Sequence, residues 1–294
     1  MWIGVRQRFR RFSTDLIVTK DQFDDGIEKQ HEARRVLQRE YYGVASDTPP
    51  GLIVGSWGKR TQRRPAVDLD LFFTVPITEF TRFQAREGNK QSALLQEVKT
   101  VLQDRWAQTD MRGDGQVVQV RFNSLTLEIV PAFQLRDGQF LIPDTNDGGN
   151  WRTADPLAEI EKIDTADRNS ANNVRQLIRM LKCWRDHCNV PLDSFVIEML
   201  VASFLPLYQY RLEDHYYYDW FVRDFFQHLV SRSGGYFPMP GTGRVVALGY
   251  DWLSRAESAR DRALRACDYE QADSIVLAGE EWQKIFGARI PIHV

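Results

Sequence analysis

The sequence predicts an α+β fold in two parts, a sheet-bearing first half and a helical second half. Two observations carry this. Four runs in the first half, "LIVGS", "VDLDLFFTV", "QVVQVRF" and "LTLEIVPAF", are short, apolar and largely alternating, the period of strands. After "DTNDGGNWRTADP" such runs stop, and residues 156 to 285 follow the three- and four-residue spacing of helices.

The elements follow in order. "MWIGVRQRFRRF" is basic but lacks the apolar core of a signal peptide, and Arg6, Arg8, Arg10 and Arg11 read as a solvated face. Residues 20 to 42 predict a helix, with Phe23, Ile27, His31 or Ala33, and Val36 or Leu37 on one side; "SDTPPG" then breaks it. A second helix is expected near residues 90 to 107, between the second and third strands. The turn "FNS" predicts an antiparallel hairpin between the last two strands. In "NNVRQLIRMLKCW", Val174, Leu177, Ile178, Leu181 and Trp184 share a helix face. The aromatic runs "HYYYDWF" and "RDFFQHLV" read as helical core rather than as base-stacking surface. "SRSGGYFPMPGTGRVV" lacks the spacing of a phosphate-binding P-loop and reads as a plain loop. The expected division is residues 1–155 and 156–294, with a ligand cleft between the two layers.

Composition excludes several classes. The chain has 294 residues, 43% of them hydrophobic and 27% charged, with a net charge of −2, so constitutive nucleic-acid binding is not expected. Three cysteines, Cys183, Cys188 and Cys267, argue against a disulfide framework or a Cys-rich zinc module, and five histidines show no ligand spacing. No run approaches the roughly 20 apolar residues of a membrane span, so a cytoplasmic protein without membrane partners is expected.

Two features suggest chemistry. Asp68 and Asp70 stand two apart in a strand pattern and so share one face, with Val67, Leu69 and Leu71 expected on the other, in the core. Paired carboxylates repel unless a cation lies between them, and a hard oxygen-loving ion such as Mg²⁺ resolves the conflict. Glu128, flanked by Leu127 and Ile129, is a third acid on an expected neighbouring strand. Three such acids suit two metal ions and phosphoryl or nucleotidyl transfer. The plainer alternative is an exposed edge-strand pair, or partners for Arg60, Arg63 and Arg64. The second feature is Gly55–Ser56, after an apolar strand. Gly55 permits close backbone approach, Ser56 offers a hydroxyl and an N–H, and Lys59, Arg60 and Thr61 follow. Alone, it is equally an ordinary strand-to-loop turn.

Together, "GSWGKRT", "DLDLFF" and "LEIVPAF" resemble the polymerase-beta-type nucleotidyltransferase fold. "NWRTADP", "LIRMLKCWRDHCNVPLDSFVIEML" and "EEWQKIFGARIP" are similar to the bacterial cGAS/DncV-like nucleotidyltransferases, the CD-NTases. The resemblance covers nearly the whole chain. It implies a bilobed enzyme: a core with a mixed sheet, and a C-terminal helical domain of oligoadenylate-synthase type. It implies a cyclic di- or trinucleotide messenger made from nucleoside triphosphates, ATP and GTP foremost, with release of pyrophosphate, in anti-phage (CBASS) signalling through a downstream effector. By motif match, Asp68, Asp70 and Glu128 would hold two Mg²⁺, with Mn²⁺ as a substitute. Gly55, Ser56 and Thr61 would meet the donor triphosphate. Lys182 and Ser194 would contact phosphates, and Phe195 would stack on a base. The third acid is a departure, since the family pattern has Asp where this chain has Glu128. Each helical-half residue also has a plainer reading: Lys182 as a solvated surface lysine, Ser194 as a helix N-cap, Phe195 as core. Rival functions are a nucleotidyltransferase that modifies an RNA end, a protein or a small molecule, and a nucleotide sensor without turnover.

Overall fold

Capping chemistry sets the first long helix of the computed structural model, which describes residues 2–44 and 46–294. After α1 (Ile3–Leu16) comes α2 (Lys20–Tyr42). The Thr19 hydroxyl accepts from the Gln22 N–H, and the Gln22 side chain accepts from the Thr19 N–H. Gly43, left-handed at φ 66°, ends α2. There follow β1 (Leu52–Ile53), the one-turn α3 (Gly55–Gly58), β2 (Asp68–Thr74), α4 (Ile77–Gln84) and α5 (Lys90–Arg105). Five strands complete the sheet: β3 (Asp110–Asp114), β4 (Val117–Arg121), β5 (Thr126–Gln134), β6 (Phe140–Asp144) and β7 (Asn150–Ala154).

The sheet is mixed, in the order β1-β2-β5-β4-β3, with β6 joining β5 to β7. Among the described residues, only β2 and β5 run parallel. Alternation sorts their side chains. Leu69, Leu71 and Phe73 of β2, Val118 and Val120 of β4, and Leu127 and Ile129 of β5 are fully buried. They form one core with Leu94, Val98 and Leu102 of α5 and Ala33 and Leu37 of α2.

Local details depart from the sequence reading. Val67 precedes β2 and is 56% exposed rather than in the core. β1 has two residues, fewer than the run "LIVGS" suggested. The strand β3 was not anticipated, although Asp114–Gly115 is a hairpin signal and Gly115 takes φ 59°. β7 lies inside the segment read as the end of the strands. The buried side of α2 is Gly26, Gln30, Ala33 and Leu37, while Phe23 stays partly exposed and stacks on Trp57. Gly26 explains the shift, because a Cβ there would lie 2.6 Å from the Trp57 ring.

The helical elements are α6 (Pro156–Arg168), α7 (Asn173–His187), α8 (Ser194–Phe204), α9 (Tyr218–Ser231), α10 (Leu253–Gln271) and α11 (Ile275–Phe286). The presumed loop after α9 contains a hairpin, β8 (Tyr236–Pro238) with β9 (Val245–Ala247). The expected α7 face is buried throughout, and Tyr218, Phe221, Phe225 and Phe226 of the aromatic runs join the same core.

The chain divides into residues 18–160 with 240–242, and residues 1–17 with 161–239 and 243–294. The boundary therefore falls later than 155/156, and the first seventeen residues belong with the helices. The reason is apolar: Val5, Phe9, Phe12 and Leu16 of α1 are fully buried in the helical core. Arg6, Arg10 and Arg11 are exposed as expected, but Arg8 is not a solvated residue. It is fully buried, with Nε 3.0 Å from Glu270 Oε1. Its other nitrogens donate to the carbonyls of Ile275, Pro291 and Ile292. One guanidinium thus ties α1 to α10, to the start of α11 and to the C-terminal tail. Among the described residues no helix is long and apolar enough to cross a membrane.

Breaking a buried ion pair leaves a charge without compensation, at a cost of about 3–5 kcal/mol. Arg8→Ala should lower stability in urea unfolding by that order, whereas Arg6→Ala should barely change it. Equal effects would refute the clamp.

Candidate active site

Strand register puts the acids on one face. In the parallel pairing of β2 and β5, Asp70 stands beside Glu128 and Asp68 beside Thr126. In the antiparallel pairing of β4 and β5, Gln119 stands on the other side of Glu128. Residues in register share a face, so Asp68, Asp70, Glu128 and Gln119 occupy the face opposite the α2–α5 core. Farther along, the same face turns apolar, where Phe72, Val130 and Ala132 pack with Phe140 and Ile142 of β6.

Glu128 is half-buried, and its carboxyl lies above the usual carboxylate range. Burial is the main cause. The charges of Asp68 and Asp114 add to it, and a hydrogen bond from Gln119 opposes it. Gln119 Nε2 donates to Glu128 Oε1 at 2.9 Å. Arg112 Nε and an Arg121 Nη both donate to Gln119 Oε1, at 3.1 and 3.0 Å. Two guanidiniums on the carbonyl oxygen leave the amide only one orientation, with its N–H₂ toward Glu128. Sequence reading missed Gln119. The signal was present, since a hairpin turning at "FNS" places residues 119 and 128 opposite each other.

The Gly-Ser turn is built against these acids. Val54 N–H donates to the Asp70 carbonyl at 2.9 Å, which anchors the turn to β2. A one-turn helix does begin at Gly55, which takes φ 58°. A Cβ at Gly55 would fall inside the Asp70 carboxylate. Glycine is required on both grounds. Ser56 is half-buried, and its carbonyl accepts from the Thr61 N–H at 2.8 Å. Thr61 is fully buried, and its hydroxyl donates to that same carbonyl at 3.5 Å, so it closes the turn. Lys59 is buried and pairs with Glu159 at 3.3 Å.

Among the described residues, no group of three or more His, Cys, Asp or Glu side chains is drawn close enough to cage a metal ion. The donor set nevertheless fits a hard cation. It is all oxygen, it lies on one face, and Glu128 is held near the repelling charge of Asp68.

The remaining predicted residues lie in the helical unit. Lys182 is not a solvated lysine: it is buried on α7, with its amine 2.5 Å from Glu198 on α8. Ser194 is the first residue of α8, and Asp193 holds the N-cap position. The Ser194 hydroxyl accepts from Arg185. Phe195 is partly buried against the helical core, 6.0 Å from the Phe237 ring.

Gly55→Ala forces a left-handed alanine, worth about 1–2 kcal/mol, and displaces the Asp70 carboxylate. Thermal unfolding should drop, and nucleotide product should fall with it. Unchanged melting and turnover would show that the turn does not hold Asp70.

Comparison with known proteins agrees with this architecture. Residues 3–169 match the model of the Second Messenger Oligonucleotide or Dinucleotide Synthetase (SMODS) domain. A probable cyclic nucleotide synthase of Bacillus cereus (strain VD146) is 24% identical over 278 residues, covering 81% of each chain. Escherichia coli MS115-1 CdnC solved with ATP superposes with a TM-score of 0.68 at 18% identity, over 97% of this chain and 98% of that one. Vibrio cholerae DncV, a cyclic AMP-GMP synthase solved with the linear intermediate 5′ pppA(3′,5′)pG, superposes at 0.66 with 15% identity, over 98% and 87%. With the matched domain spanning more than half its length, the chain belongs to the SMODS family, the CD-NTase nucleotidyltransferases that build second-messenger oligonucleotides.

Proposed function

We propose that this enzyme joins nucleoside triphosphates into a cyclic di- or trinucleotide, with release of pyrophosphate, as a cytoplasmic messenger in bacterial anti-phage defence. The observation that carries the reading is the pairing of Asp70 with Glu128 across β2 and β5, with Gly55 pressed against Asp70. A relative solved with ATP, and another solved with a linear dinucleotide, support nucleoside triphosphates as substrates and a stepwise route.

Asp68, Asp70 and Glu128 would hold Mg²⁺. When bound, it supplies positive charge that lowers the pKa of an acceptor hydroxyl and offsets charge on the leaving pyrophosphate. The chain's own residues do the rest. Gln119 holds one oxygen of Glu128 and so orients the other, which compensates for the longer side chain at the third acid position. The Gly55–Ser56 turn offers backbone approach to the donor triphosphate. A ribose hydroxyl attacks the donor α-phosphorus, the α–β phosphoanhydride bond breaks, and the hydroxyl proton is lost. Positioning and charge neutralisation lower this barrier. Repetition within the linear product closes the ring. Lys182, Ser194 and Phe195 are the helical-unit residues proposed to meet the donor. A downstream effector would read the product.

Wild-type protein with Mg²⁺ and labelled nucleoside triphosphates alone should yield small products that resist phosphatase. Asp68→Ala with Asp70→Ala should yield none while keeping the wild-type circular dichroism spectrum. Product from the double variant would sink the metal assignment, and phosphatase-sensitive wild-type product would sink cyclisation. A second expectation concerns Gln119. Gln119→Leu should weaken Mn²⁺ binding, followed by electron paramagnetic resonance, about tenfold or more. Wild-type Mn²⁺ affinity in this variant would remove Gln119 from the site.

A further inference from the structure

The helical unit contains a cavity of about 380 Å³, lined by residues from the C-terminal end of α7, from α10, and from the last turn of α11. That volume lies in the range of small-molecule sites. Its polar lining is rich in donors: His187, Ser254, Arg255, Ser258, Arg262 and Lys284. No acidic residue lines it. Ser254, Arg255, Ser258 and Arg262 recur at three- and four-residue steps, so they share one side of α10.

The two arginines have a plain structural duty. Arg255 Nε donates to the Cys188 carbonyl at the end of α7, at 3.2 Å. Arg262 Nη1 donates to the Lys284 carbonyl near the end of α11, at 2.7 Å. Each thereby satisfies a carbonyl at a helix end. That duty uses one nitrogen of each fork. Among the described residues, neither guanidinium has a carboxylate partner, in contrast to Arg260 with Asp261 and Arg265 with Glu281. Lys284 differs, because its amine pairs with Glu281 at 2.5 Å.

Two arginines lacking counter-charges and two serine hydroxyls call for an anion with several oxygens. Guanidinium forks match phosphate in geometry. We propose that this cavity binds a small phosphate-bearing molecule, at a site formed wholly by the helical unit and independent of the acids on the sheet.

The test uses the full chain with pyrophosphate as probe, in EDTA, so that no divalent metal supports phosphate at the acids. Calorimetry should show saturable binding. Arg262→Ala should weaken it about tenfold, the effect of one charge-assisted hydrogen bond. Because Arg262 also caps α11, a second variant guards against a folding defect. Ser258→Glu places a negative charge in the cavity from an exposed position without touching either helix-end carbonyl, and should weaken binding at least as much. Asp68→Ala with Asp70→Ala should bind as wild type. No binding to wild type, equal binding by Ser258→Glu, or loss in the Asp68/Asp70 variant would each overturn the proposal.

Discussion

The parallel register of β2 with β5 is the constraint on which the site depends. It sets Asp70 beside Glu128 and Asp68 one step away, placing like charges on adjacent strands where pairing alone disfavours them. The other face of the same strands is filled by Leu69, Leu71, Leu127 and Ile129, all fully buried. A slip of one residue would bury acids and expose leucines. The hydrophobic core therefore keeps the three acids on one face of the sheet.

Neighbouring elements then refine the acids. α3 begins at a left-handed glycine pressed onto Asp70, and β4 supplies Gln119 to hold Glu128. Arg112 and Arg121 orient the glutamine without touching the acid themselves. This layered arrangement restrains Asp70 from one side and Glu128 from the other. The Glu128 side chain is restrained by a donor two strands from β2.

The helical unit uses buried charge differently. Arg8 is spent on Glu270 and on three backbone carbonyls, and so serves architecture. Lys182 is buried against Glu198, so its ammonium is held in place by a carboxylate on the next helix. Arg255 and Arg262 stand between these extremes, each tied to a helix end by one bond and with donors to spare.

Much of the fold was legible because periodicity is local. The span of α2, the hairpin at "FNS", the buried face of α7 and the acid pair on β2 all follow from spacing within one element. Gly55 was expected to let the backbone approach a ligand; what lies against it in the structure is the Asp70 carboxylate. What spacing left undetermined came from contacts between distant segments. Arg8 reads as one of four similar arginines until Glu270, 262 residues away, is brought to it. α1 reads as a basic segment with a solvated face until its four apolar residues meet the helical core. Gln119 reads as a polar strand residue until three strands align it with Glu128 and two guanidiniums. By itself, then, the sequence determined which elements form and which acids they carry, because those depend on neighbours along the chain. Only the tertiary structure decided which charges are buried, paired or left with donors to spare, because desolvation and partner distance are set by residues far apart in sequence.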